Sequence, residues 1–430
     1  MTLDLRRPLA VDLFAGAGGL SLGLEQAGYE IAASVEYDPI HAAVHEFNFP
    51  YGKTFCADVS KITGGEIREE SEIGSREIHL VAGGPPCQGI SMIGKRAIDD
   101  PRNILLKEFI RVVLELKPRY FLMENVAGLM LGKHRQLIDE VVEMVEADGY
   151  RVVKPIRVLQ AADYGTPQSR KRVIVLGARA DVDLPKYPKA SYMPRTIKGV
   201  LPKDNGLPLG PSVSDALADL PDADEFEELL HDDLVENVVY GEASRYAGIL
   251  RGTVHDATDF SRPRPINGDV LTSSARTVHT KRSIERFEQT ENGTTEKVSR
   301  FLRLHPEGIC NTLRAGTASD RGAYTAPRPI HPNRPRVITV REAARLHGYP
   351  DWFRFHTTKW NGFREIGNSV PTSLGKAVGV SILENDQIRP VRGKLTELGN
   401  VGLLYMTSGK AHDYFGLTER VIPQRDRQVG

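Results

Sequence analysis

Cysteine is scarce: the 430 residues hold three, Cys56, Cys87 and Cys310. They are odd in number, far apart and never in a CxxC spacing, which excludes a disulfide framework and a structural zinc site and predicts free thiols. No run approaches the roughly 18 apolar residues that span a bilayer. The N-terminal stretch MTLDLRRPLAVDLF carries acids and lacks a small-residue cleavage site, so a secretory signal is not expected and the chain reads as cytoplasmic. No internal repeat is found. Neither charge is in excess, since 56 Lys and Arg face 56 Asp and Glu. That balance is local, however: Ser212–Glu236 holds ten acids and no Lys or Arg, while Arg251–Val340 holds fifteen Lys or Arg against nine acids. The second segment is basic enough to meet phosphates.

What is present first is a βαβ rhythm. LAVDLFAG precedes GLSLGLEQAG, EIAASVEY precedes PIHAAVHEFNF, and EIHLVAGG precedes NILLKEFIRVVLELK. In the last of these Leu105, Phe109, Val112, Val113 and Leu116 share one helix face that can lie on a sheet. RYFLMENV, HRQLIDEVVEMVEADG, RVVKPIRVLQ and RVIVLGAR extend the pattern, which predicts an α/β fold, a doubly wound sheet with ligands at the strand ends. The expected boundaries are a first catalytic part over 1–185, an irregular second domain over 186–330 rich in Pro, Gly and Asp, a helical return over 331–388, and an unassigned extension over 389–430. Thr339 and Glu342 have capping-box spacing before the helix candidate REAARLHG.

Phe14-Ala15-Gly16-Ala17-Gly18-Gly19-Leu20 follows the first strand and opens a helix, so its glycines bring backbone N–H groups to an anion or nucleotide-like ligand. Ser21 stands where the dinucleotide fingerprint wants a third glycine, which favours a ligand without a pyrophosphate. Glu36 at the end of the second strand suits ribose hydroxyls, and Asp58 after the third suits an adenine amino group. GGPPCQGIS places Cys87 on a strand-end loop stiffened by two prolines, a setting for a nucleophile and not for a packing residue. Glu124 ends another strand at the same edge, where a buried carboxyl could donate a proton. QSRKR, taken alone, is an ordinary basic turn.

As an ordered set, DLFAGAGGLSLGL, the acid of VEYDP, the acid of ADVS, GGPPCQGIS, FLMENV, QSRKRV, RVITVREAARLHGYPD and REIGNSVP resemble the motifs of the DNA cytosine-5 methyltransferases, over roughly residues 8–180 and 335–385. The resemblance implies a Rossmann-like class I methyltransferase sheet, mixed in strand direction, with a smaller target-recognition domain in the middle region, near whose end ICNTLRAG resembles a Thr-Leu element. It implies S-adenosylmethionine as cofactor, without a metal, and double-stranded DNA as partner, the protein acting as a monomer on it beside a companion restriction nuclease or defence system. Cys87 would be the nucleophile, Glu124 would hold ring N3, and Arg170 and Arg172 would act electrostatically. Phe14, Ala15, Gly16, Gly18, Gly19, Leu20, Glu36, Tyr37, Asp58, Val59, Pro86 and Leu105 would line the cofactor, closed by Asn368, Ser369 and Val370. Gln88, Ser91, Asn125, Thr312, Leu313 and Arg314 would meet DNA. So would the basic-segment candidates Arg262, Arg264, Arg276, Lys281, Arg282 and Arg303. A transfer-RNA cytosine methyltransferase and a non-catalytic DNA-binding relative are the competing readings; the latter would lack Cys87 or Glu124, and both are present. A nicotinamide oxidoreductase would need the missing third glycine.

Overall fold

LAVDL at Leu9–Leu13 is buried along its whole length, as a strand must be when helices cover both faces of a parallel sheet. The structure, a computed structural model, describes residues 3–86, 104–316 and 328–418. In it LAVDL is β1, followed by α1 (Gly19–Ala27), β2 (Glu30–Glu36), α2 (Pro39–Asn48), β3 (Lys53–Cys56), α3 (Gly64–Glu70) and β4 (Leu80–Gly83). Then come α4 (Ile104–Leu116), β5 (Tyr120–Val126), α5 (Arg135–Ala147), β6 (Tyr150–Val152), β7 (Arg157–Gln160) and β8 (Lys171–Arg179). The strand order is β3-β2-β1-β4-β5-β8-β6, with β7 also on β8. The first five strands are parallel. β8 runs antiparallel to β5, from Tyr120 opposite Ala178 to Val126 opposite Arg172. The doubly wound mixed sheet is therefore present, and the reversal of β8 matters for chemistry. It brings the start of β8, with its basic turn, to the edge where β5 ends.

Local sequence sets the helix starts. Asp38 caps α2 by accepting from the Ile40 N–H, and Pro39 occupies the first turn, where its missing N–H costs nothing. α1 has no side-chain cap; it begins directly from Gly18, whose φ of 106° few other residues could adopt.

The middle region is irregular, as its composition predicts. Among the described residues it contains the short helices α6 (Val213–Leu217), α7 (Arg245–Arg251) and α8 (Lys281–Glu288), together with isolated bridges. Helices then return as α9 (Val340–His347), α10 (Lys359–Asn368), α11 (Thr372–Asn385) and α12 (Ser408–Tyr414). α9 starts on the expected capping box of Thr339 and Glu342. α11 lies against α1 so closely that a Cβ on Gly23 would sit 2.5 Å from the Thr372 carbonyl oxygen. Leu403 and Leu404, from the extension without assigned chemistry, pack with Ala43, Val44 and Phe47 of α2 and with Ala17 of the glycine loop.

Several cations expected at phosphates are spent inside the protein. Arg264 pairs with Glu25 at 2.7 Å, both side chains fully buried, and its guanidinium lies 4.4 Å from the Trp352 ring. Arg262 pairs with Glu30, which Arg7 also meets at 3.2 Å. Arg303 donates to the carbonyls of Phe287, Glu288 and Thr290, closing the end of α8. Arg276 holds Asp224 at 3.2 Å. For Arg262, Arg264 and Arg276 the physical reason is that unlike charges brought close on folding pair, and for Arg303 that a helix end leaves carbonyls in need of donors; a linear count of basic residues cannot see either kind of partner. Lys281, Arg282 and Arg314 are exposed.

Arg264→Ala leaves Glu25 buried without its counter-charge and is expected to destabilise the fold by about 3–5 kcal/mol, read by urea denaturation. A stable variant with weakened DNA binding would instead restore Arg264 to the phosphate contacts.

Candidate active site

Residues following β1, β2, β3, β4 and β5 converge on the carboxyl edge of the sheet. Phe14, Gly16 and Gly18 all have positive φ, 61°, 56° and 106°. The resulting loop is tied to β2 at two places: Ala15 N–H donates to the Val35 carbonyl at 3.0 Å and Gly16 N–H to Glu36 Oε2 at 2.7 Å, while Glu36 Oε1 takes the Asp38 N–H at 2.8 Å. Burial raises the Glu36 carboxyl above its ordinary range. A Cβ on Gly16 would meet nothing within 4 Å, so the loop opens outward there. A Cβ on Gly19 would lie 2.6 Å from the Val370 carbonyl oxygen and 2.8 Å from Ser369 Cβ. The Ser369–Val370 segment is thus seated on the loop from the far end of the chain, with Asn368 exposed beside it. Leu20 is buried in α1, and Tyr37 stands half-exposed beyond Glu36. Asp58 takes the Ser60 N–H and hydroxyl at 2.9 and 2.7 Å, and Val59 is buried. Pro86 and Leu105, both partly buried, flank the stretch outside the described residues.

Behind the loop lies a polar chain that motif reading missed. Ser21 donates to Asp12 Oδ2 at 2.6 Å and meets His45 Nε2 at 3.0 Å, while His45 Nδ1 meets Ser34 and Thr54. Burial raises Asp12 to about 7 and lowers His45 to about 3. The one available signal was an acid inside the apolar strand LAVDL.

At β5, Glu124 is buried and pairs with Arg172 at 2.6 Å from Nε to Oε1. A Cβ on Gly84 would lie 3.1 Å from Glu124 Oε2, so the glycine before the two prolines lets that loop approach the carboxylate. Asn125 does not face DNA as expected. It is buried, donating from Nδ2 to the Pro85 carbonyl at 2.8 Å and accepting the Val126 N–H at Oδ1. Both halves of its amide serve the loop. Cys87, Gln88 and Ser91 lie outside the described residues.

Arg170 is buried and faces protein, not solvent. Nη1 donates to the Leu313 carbonyl at 2.7 Å, and Nη2 to the carbonyls of Gly367 and Ser369 at 2.8 Å each. Burial, and then the nearby Arg172, act against its charge while Glu124 supports it; a guanidinium so bonded keeps its proton. Thr312 and Leu313, expected at DNA, also turn inward: the Thr312 hydroxyl donates to the Ser169 carbonyl at 2.5 Å, and the Leu313 N–H to Gln168 Oε1 at 3.2 Å. Gln168 further meets His347 at 3.0 Å, whose imidazole burial holds neutral. Cys310 is buried, which pushes its thiol up, and burial lifts Cys56 to about 12. Neither thiol is poised to react.

A mixed doubly wound sheet with a glycine loop after β1, an acid after β2 and an antiparallel β8 defines the class I methyltransferase fold. The chain belongs to the C-5 cytosine-specific DNA methylase family, whose model matches residues 10–384, and it is a DNA cytosine-5 methyltransferase. It is 52% identical over 426 residues to the type II methyltransferase M.XorII of Xanthomonas oryzae pv. oryzae, covering 99% of this chain and 96% of that one. It is 30% identical to the type II methyltransferase M.AgeI of Thalassovita gelatinovora, over 86% of this chain and 98% of that one. Among solved structures it is similar to one described as a prophage-encoded DNA modification methyltransferase of E. coli, with a TM-score of 0.70, 32% identity, and coverage of 88% of this chain and 99% of that one.

Asn125→Ala frees the Pro85 carbonyl and is expected to lower the methyl-transfer rate at saturating cofactor by about 10- to 100-fold, the scale of a misplaced reacting group. An unchanged rate in a folded variant would show that this bond does not set the loop.

Proposed function

We propose that the chain transfers a methyl group to C5 of a cytosine turned out of duplex DNA, with Cys87 as nucleophile. The observation that carries this reading is the buried Glu124–Arg172 pair beside the Gly84–Pro86 loop, which leads directly into Cys87.

The glycine loop suits an adenosyl group. It is open above Gly16, and each Glu36 oxygen takes one N–H and keeps a lone pair for a ribose hydroxyl. Glu36, with Asp58 and the backbone of residues 14–19, would hold S-adenosylmethionine, and Ser369–Val370 would close the site. When bound, this cofactor supplies an electrophilic methyl group.

The protein's own residues supply the rest. Addition of Cys87 Sγ to cytosine C6 makes C5 nucleophilic, and Glu124 keeps a proton at ring N3 so that charge does not accumulate on the base. Arg172 pairs with Glu124 and would meet the base carbonyl. Once C5 carries the methyl group, loss of its proton and elimination of the Cys87 thiolate restore the aromatic ring. An ordinary thiol, with pKa near about 8.5, is only slightly ionised at neutral pH. Arg170 and Arg172 against the single carboxylate Glu124 leave one positive charge in excess, which favours the thiolate. Arg170 acts at a distance, as a positioning residue.

The target carbon lies within a base stack, so the cytosine must leave the duplex, at a cost of a few kcal/mol. Lys281, Arg282 and Arg314 are exposed and would offset that through backbone contacts. The two relatives named type II methyltransferases support a companion restriction nuclease reading the same site. The protein acts as a monomer on DNA, in the cytoplasm.

Cys87→Ala is expected to lower methyl transfer to duplex DNA by on the order of 10⁴-fold or more while duplex binding persists, assayed with labelled cofactor beside transfer RNA. Retained transfer by the variant would remove Cys87 as nucleophile, and wild-type activity confined to transfer RNA would overturn the DNA assignment.

A further inference from the structure

α10 carries Lys359, Phe363 and Gly367 four residues apart, one stripe along the helix. The stripe begins at the active site, because the Gly367 carbonyl accepts from Arg170 and a Cβ on Gly367 would strike Arg314 and Ala315. Lys359 lies eight residues back, about 12 Å along the axis. Between them Arg328 lies over the Phe363 ring, its Cζ 4.3 Å from the centroid.

This cation is unusual in the molecule. Arg328 is partly buried, its Nε is buried without a hydrogen-bond partner, and among the described residues it meets no carboxylate. Its neighbour Lys359 donates to the Arg276 carbonyl and, among the described residues, meets no acid either. Burial pushes both groups toward neutrality, and Arg328 adds charge repulsion at Lys359. The third group there is His279, lowered by burial, which Asp224 opposes and Arg336, Arg328 and Lys359 reinforce.

The nearby acids are already committed. Asp224 serves Arg276 and Arg336, Asp222 serves Arg334 and Arg336, and Glu342 serves Arg336. Two adjacent, partly desolvated cations with no acid to share are stabilised by an anion from outside. An anion already present on the substrate, one helix stripe from the site of base extrusion, is a backbone phosphate.

We propose that Arg328 and Lys359 form a binding site for a DNA backbone phosphate flanking the extruded cytosine, held on α10. The Phe363 ring orients the guanidinium, and Lys359 acts as a point charge. Such a contact fixes the register of the duplex on the enzyme and carries no sequence information. The inference rests on the reading of duplex DNA as substrate.

The test is duplex affinity of the full chain, by fluorescence anisotropy across a salt series, on DNA with and without the methylated site. Arg328→Met, which keeps an apolar contact with Phe363, is expected to weaken binding equally on both duplexes. It should also flatten the slope of log affinity against log salt by about 0.9, so that the deficit shrinks about threefold between 50 and 200 mM salt. Lys359→Gln should do the same, and it carries the test if the Arg328 variant does not fold. An unchanged slope in folded variants overturns the site. Inorganic phosphate, at matched ionic strength, is expected to suppress the wild-type affinity more than the variants', because it competes with the backbone phosphate for the same two cations. Wild-type protein that fails to bind duplex at low salt would contradict the DNA reading itself, a result distinct from either.

Discussion

One buried guanidinium keeps the two ends of this active site in register. Arg170 leaves the turn before β8 and reaches the carbonyls of Leu313, Gly367 and Ser369, three points that the chain visits more than 140 residues later. Burying a charge without a carboxylate is costly unless each donor finds an acceptor. The fork of the guanidinium meets that demand with fixed geometry, and a lysine in its place would offer a single point charge. Through these bonds the segment that seats on Gly19 is positioned by the same turn that delivers Arg172 to Glu124. The glycine loop, the buried Glu124 and the Ser369–Val370 segment therefore share one mechanical frame.

Charge is distributed to the same end. The acids concentrated in 212–236 are drawn into pairs: Asp219 with Arg345 and Arg251, Asp222 with Arg334 and Arg336, Asp224 with Arg276, Asp233 with Arg354. Glu25 and Glu30 absorb Arg264 and Arg262. Among the described residues, Arg314, Arg328 and Lys359 pair with no acid and lie at or near α10. A chain with no net charge can thereby leave positive groups free for a polyanion, because its acids are taken up by other arginines.

The alternation of strands and helices was legible because burial on both faces of a parallel sheet demands unbroken apolar runs, as in LAVDL and YFLMENV. The strand-end loops were legible because their glycines and prolines have backbone reasons to be there. What stayed hidden were partners distant along the chain. Nothing local distinguishes Arg264, which is buried on Glu25, from Arg282, which is exposed. Asn125 in ENV reads as a strand-end polar group, and only the fold shows its amide gripping Pro85. Nor does a basic turn announce that Arg170 points inward while Arg172, two residues on, points to the carboxylate. That β8 is the reversed strand was not readable from its own residues, since strand direction is set by the neighbour; the mixed sheet was implied only by the family resemblance.

Buried on three backbone carbonyls, Arg170 is expected to hold the site together without meeting the base. Amide hydrogen exchange of Arg170→Lys, compared with wild type and paired with the cofactor KM, tests it most directly. Faster exchange in residues 313–316 and 366–370 together, with a raised cofactor KM, is expected. Unaltered protection of both segments, accompanied by a fall in kcat alone, would contradict it and return Arg170 to the chemistry of the base.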